Sequence, residues 1–177
     1  MKKASKKQEA TNSAPPLTQE WSASKVRAHL EKDGIVFLER KVDGDVYFEG
    51  QIGSARIQPV GTFAFRIVVC AENDYVQCFF SLPTYVPEAR RDAVAAYCGY
   101  VSGLIKAAKI YLDPADGAAS VEFSVPVKVL MGNSDTELGR LIGVPFGMAA
   151  NAVKGFYDVL NGKAPKEAYA ETEANPV

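Results

Sequence analysis

The chain has 177 residues, 47% of them hydrophobic and 23% charged, enough for one domain with a real core and unlike a disordered chain or a disulfide scaffold. Twenty Lys and Arg stand against 21 Asp and Glu, a net charge of −1, so no overall field draws nucleic acid or an acidic substrate. The three cysteines, Cys70, Cys78 and Cys98, lack C-x-x-C spacing, which argues against a zinc site and suits a reducing compartment.

Residues 1–16 carry Lys2, Lys3, Lys6 and Lys7 against Glu9, a net charge of +3. No apolar run follows them, so they read as a disordered, solvated basic tail rather than a secretory signal. No apolar stretch long enough to span a membrane occurs, and a cytoplasmic protein is the expectation. Thr18 to Lys32 reads as a short helix, with Thr18 as N-cap, Trp21, Val26 and Leu30 on one side, and Gly34 as the left-handed stop.

The periodicity then changes to two. Ile35 to Val42 and Val46 to Ile52 form a hairpin about Asp43-Gly44, with Tyr47, Glu49 and Gln51 on a wet face. In the next pair, Phe63, Phe65, Ile67 and Val69 alternate with Ala64, Arg66, Val68 and Cys70. Val76, Cys78, Phe80 and Leu82 likewise alternate with Tyr75, Gln77, Phe79 and Ser81. A two-residue loop at Asn73-Asp74 predicts Val69 opposite Cys78, with Cys70 pointing away from Cys78 and no disulfide between them.

Pro87 opens a helix expected over Glu88 to Ala108, with Val94, Cys98, Val101, Ile105 and Ala108 at spacings of three and four, widened by Tyr97 and Leu104. Two strands follow, Lys109 to Leu112 and Ala119 to Val129. The last helix is expected from Ser134-Asp135-Thr136-Glu137, a capping box after Asn133, to Gly162, with Pro145 bending or splitting it near Leu141. Residues 163–177 should be loose. The order of helix, four strands, helix, two strands, helix predicts a single α+β domain over 17–162, a mainly antiparallel sheet with helices on one face.

Chemistry is sparse. The Asp113-Pro114-Ala115-Asp116-Gly117 loop suggests calcium, but an EF-hand loop begun at Asp113 would put Ala115, Gly117 and Ala118 at positions three, five and six, where two oxygen ligands and a glycine are required. The same residues satisfy a turn: Pro114 presets φ, Asp113 bonds the backbone two residues on, and Gly117 accepts positive φ. The only histidine, His29, lies on a helix without a Gly-x-Ser-x-Gly elbow elsewhere, and reads as surface or packing. Ile142 to Gly147 is glycine-rich but lacks the lysine of a phosphate loop. No cofactor, metal or catalytic residue is assigned.

One pattern does ask for a partner. Gly139, Gly143 and Gly147 recur every four residues toward Asn151 and Gly155, and each glycine costs a helix about 0.8–1 kcal/mol relative to alanine. Close approach of another backbone would explain them, from this domain's own sheet or helices or from a partner or dimer helix seated against Gly139, Gly143, Gly147 and Phe146. Charged residues throughout the span exclude a membrane dimer motif.

From Pro87 to Val129 the chain resembles the YbjN-like family of bacterial sensory-transduction regulators, whose fold is like that of type III secretion chaperones. The residues that carry the resemblance are Tyr100-Val101-Ser102-Gly103-Leu104, Ala108-Lys109-Ile110-Tyr111-Leu112-Asp113-Pro114-Ala115-Asp116-Gly117, Val121-Glu122-Phe123 and Val125-Pro126-Val127. Gly155-Phe156-Tyr157-Asp158-Val159-Leu160-Asn161-Gly162 is similar to its terminal helix, and Asp33-Gly34 to the close of its first. The asparagine usual near Val101-Ser102 is missing. The resemblance implies a cytoplasmic, non-enzymatic module that binds a protein partner or a second copy, chaperone-like or regulatory. The alternative is a small-ligand protein or enzyme whose site is assembled only in the fold.

Overall fold

A computed structural model describes residues 17–54, 60–72, 74–103 and 108–174, and the side chains from Gln19 onward. The basic tail, the loop residue Asn73, Leu104 and Ile105 lie outside the described residues. Helix α1 (Leu17–Lys32) leads into strands β1 (Phe37–Val42), β2 (Asp45–Gly53), β3 (Thr62–Val69) and β4 (Tyr75–Tyr85). A 3-10 turn (Glu88–Arg90) precedes α2 (Arg91–Ser102), and then come β5 (Lys109–Leu112), β6 (Ala118–Pro126), α3 (Val127–Gly132), α4 (Ser134–Leu160) and α5 (Pro165–Ala174). The fold is α+β: one six-stranded antiparallel sheet in the order β1-β2-β3-β4-β6-β5, with helices packed against it.

Alternation builds the two layers. Phe48, Phe63, Phe65, Ile67, Cys78, Phe80, Val121 and Phe123 are buried on one face, beneath Tyr97, Leu138, Leu141, Met148 and Phe156 of the helices. Burying each such aromatic or aliphatic side chain contributes about 1.5–3 kcal/mol, so this face decides the sheet's orientation. The β1–β2 turn forms as read, with Asp43 and Gly44 at φ of 51° and 96°, the pair of positive angles that a type I′ hairpin needs. Gln19 on α1 ties that end down: its Nε2 donates to Gly44 O at 2.8 Å and to Val69 O at 3.1 Å.

Several expectations are corrected. Val69 pairs with Val76, and Cys78 with Ile67. A slide of two residues leaves every side chain on its face, so alternation alone could not distinguish the registers. Helix α1 already includes Leu17, which puts Thr18 inside it rather than at its cap. The middle helix is shorter than expected: α2 ends at Ser102, and Ala108 is buried but outside it. Strand β6 stops at Pro126, and Val127 to Val129 turn into α3, burying Val127 and Leu130 three apart. Proline has no N–H for the ladder and suits a helix start, which explains the switch.

The capping box does not form either. Asn133 occupies the N-cap of α4 without a side-chain cap bond. Pro145 does not split the helix, because α4 is continuous from Ser134 to Leu160 with Pro145 buried inside it. Finally, the stretch expected to be loose holds α5, which buries Ala168 and Thr172. The segment is poor in apolar residues, but Ala168 and Thr172, four apart, meet a prepared surface. The Tyr97 hydroxyl lies 2.8 Å from Ala152 O and 3.1 Å from Thr172 Oγ1, and a Cβ on Gly155 would collide with both side chains.

Candidate functional site: the outer face of the sheet

The opposite phase of each strand points away from the helices. Pairing places these residues in rows across the sheet: Arg40, Tyr47, Val68, Gln77 and Ser124 in one, and Leu38, Glu49, Arg66, Phe79, Glu122 and Lys109 in the next. A third row runs Gln51, Ala64, Ser81, Ser120, Tyr111. An open groove of about 610 Å³ lies over this face, lined by Tyr47, Val68, Phe79 and Tyr111 among others. Val68 stands in this outward phase yet is only 7% exposed, recessed among its neighbours.

Some of the charges around that strip are engaged within the chain. Glu49 is shared by Arg66, whose Nε lies 2.7 Å from Oε1, and by Arg40. Burial raises the Glu49 carboxyl, and the two guanidiniums outweigh it, leaving the group below its ordinary value. Glu122 accepts a 2.9 Å hydrogen bond from Gln77 Nε2. Burial pushes the nearby Tyr111 phenol up, reinforced by Glu122 and Asp113, so it is a neutral donor at physiological pH. Such a surface can take up apolar side chains and offers hydrogen bonds along its borders.

The residues singled out in the sequence lie elsewhere. Gly139 and Gly143 are exposed, Gly147 is half-buried, and a Cβ on any of the three would meet nothing within 4 Å. Packing onto this domain's own sheet or helices therefore does not explain them. A spacing of four also advances about 40° around a helix at each step, so the stripe winds from solvent at Gly139 into the interior at Gly155, the one member in close contact. Phe146 turns inward, edge-on to Phe80 at 5.7 Å and to Phe63 at 6.1 Å between ring centroids, and packs half-buried against the core.

The acidic loop is a turn. Asp113 Oδ1 accepts from Ala115 N at 2.8 Å and Asp116 Oδ1 from Ala118 N at 2.7 Å, while Gly117 takes a φ of 79°. Arg91 Nη1 donates to Pro114 O at 2.7 Å, fastening the loop to the start of α2. His29 is buried in the helix layer, its Nε2 3.6 Å from Asp33 Oδ2. Among the described residues no group of acids, histidines and cysteines could hold a metal ion, and no helix is long and apolar enough to cross a membrane.

Sequence reading missed the outer face because it credited only the buried phase of each strand. The signal was present: Tyr47, Val68 and Phe79 stand in the phase that an ordinary solvated sheet face fills with polar residues. Comparison of the chain with protein-family models, with curated proteins and with solved structures finds no match in any of the three.

Proposed function

We propose that this is a non-enzymatic, cytoplasmic protein-binding module, chaperone-like or regulatory, which holds an extended segment of a partner protein on the outer face of its sheet. The observation that carries the reading is the strip of Tyr47, Phe79 and Tyr111 around the recessed Val68, beneath an open groove and bordered by the Arg40–Glu49–Arg66 ion pairs. An extended peptide presents alternate side chains to such a strip at the spacing of the strands themselves. Because Arg40 and Arg66 are both engaged by Glu49, a polypeptide suits the face better than a phosphate backbone. The resemblance to the YbjN-like family and to type III secretion chaperones points the same way at the level of fold.

The test is a photo-crosslinking amino acid placed in the native cell at Phe79, with Lys154 on the helix side as control. A discrete protein adduct at 79, absent at 154 and weakened by Tyr47→Ala, is the expected result. Equal crosslinking at both positions, or none at 79, removes the reading. A small molecule retained in native mass spectrometry, and displaced by Phe79→Ala, would instead favour the small-ligand alternative.

A further inference from the structure

Strand β1 is an edge of the sheet, since among the described residues it pairs only with β2. Such an edge leaves backbone N–H and C=O groups open to a further strand, and proteins ordinarily guard it with charges, proline or a covering element. Here three large aliphatic residues stand out along it, Val36, Leu38 and Val42, at 86%, 59% and 45% exposure. With Arg40 they occupy alternate positions, so all point to the outer side of the sheet. Two of the strand's charges are taken up within the chain: Glu39 holds Arg27 through contacts of 2.6 and 2.7 Å, and Arg40 is bound by Glu49. Lys41 has no ion-pair partner among the described residues.

We propose that this edge pairs with the same edge of a second copy, antiparallel and centred on Arg40, joining two sheets into one of twelve strands. The centring follows from self-complementarity, because a two-fold interface must match its own reverse. If both helix layers lie on the same side, only residues of the same parity can oppose one another. Centring on Arg40 sets Leu38 against Val42 of the second copy and Glu39 against Lys41, each pair occurring twice. Centring on Glu39 would oppose two glutamates, and centring on Lys41 would oppose two lysines and set Glu39 against Asp43. The central arginines are the remaining like pair, each held by a Glu49 that it shares with Arg66.

Aliphatic and opposite-charge pairs directly across strands are the units that stabilise an antiparallel ladder. Six residues on each side bury much less than the ~800 Å² per partner of a standard interface, so the dimer is expected to dissociate in the micromolar range. This edge adjoins the outer-face groove, since Leu38 and Arg40 stand opposite Glu49 and Tyr47 of its lining, but the partner-binding reading does not depend on the pairing.

Sedimentation equilibrium of the full-length protein across a range of concentrations tests the proposal. The wild type should show a reversible monomer–dimer equilibrium. Lys41→Glu, which opposes like charges in both pairs and leaves the Arg27–Glu39 contact in place, should weaken it by about tenfold. Glu39→Lys combined with Lys41→Glu restores opposite charges across the two-fold and should restore the dimer, with circular dichroism checking that each variant is folded. A wild type that stays monomeric at the highest concentration overturns the proposal. So does a Lys41→Glu variant that dimerises like the wild type, or a folded double variant that stays monomeric.

Discussion

Two glycines of α4, Gly143 and Gly155, have opposite roles. Gly155 sits where a Cβ would meet the Tyr97 ring and Thr172, so Gly155→Ala is expected to cost about 1–3 kcal/mol through overpacking. Gly143 is exposed with nothing nearby, so Gly143→Ala should gain about 0.5–1 kcal/mol of helix stability. Denaturant unfolding of both variants checks the pair, and a shift in the same direction for both would contradict the geometry. The thiols divide in the same way. Burial pushes Cys98 up to about 12 and raises Cys78 as well, whereas Cys70 is half-buried. Because the thiolate is the reactive form, a thiol reagent should modify Cys70 alone in the native protein and all three cysteines in denaturant.

At the scale of elements, α5 is the clearest departure from what the sequence suggests, and it carries the next prediction. Its buried Ala168 and Thr172, the Tyr97–Thr172 contact and the ion pair of Lys163 Nζ with Glu171 Oε1 at 2.7 Å attach it to the body. Ending the chain after Lys163 should lower unfolding free energy by about 1–3 kcal/mol and expose Tyr97 to solvent, read by denaturant titration and tyrosine fluorescence. An unchanged midpoint would mean that α5 adds nothing. The strands and the faces they bury were legible because a period of two survives in Phe63 to Val69 and Val76 to Leu82. The β3–β4 register was not, because a slide of two preserves that same period. The outer-face site was legible only in part: Val68 and Phe79 broke the polar phase, but only the assembled sheet brings them together with Tyr47 and Tyr111.

For the whole molecule, charge matching predicts how stability depends on pH. Glu39 is lowered by its hydrogen bond to Arg27, against burial, and Glu49 and Asp158 are lowered because their cationic partners outweigh burial. A carboxyl lowered in the folded state binds fewer protons than the unfolded chain, so its contribution is complete above the ordinary carboxylate range near ~4 and is lost as pH falls through the lowered values. Unfolding free energy should therefore be flat from neutrality down to that range and then decline, with Arg66→Gln showing a smaller decline. Equal slopes in the two proteins would remove Glu49 from the account. The strand order has a different kind of consequence, one of timing. The ribosome completes the sheet at Pro126, yet α4, which supplies Leu138, Leu141, Met148 and Phe156 to cover its apolar face, is made afterwards. Each nascent chain thus passes through an interval in which a finished sheet has only α1 and α2 to cover it, and it is during synthesis, more than after it, that this protein depends on being shielded from its neighbours.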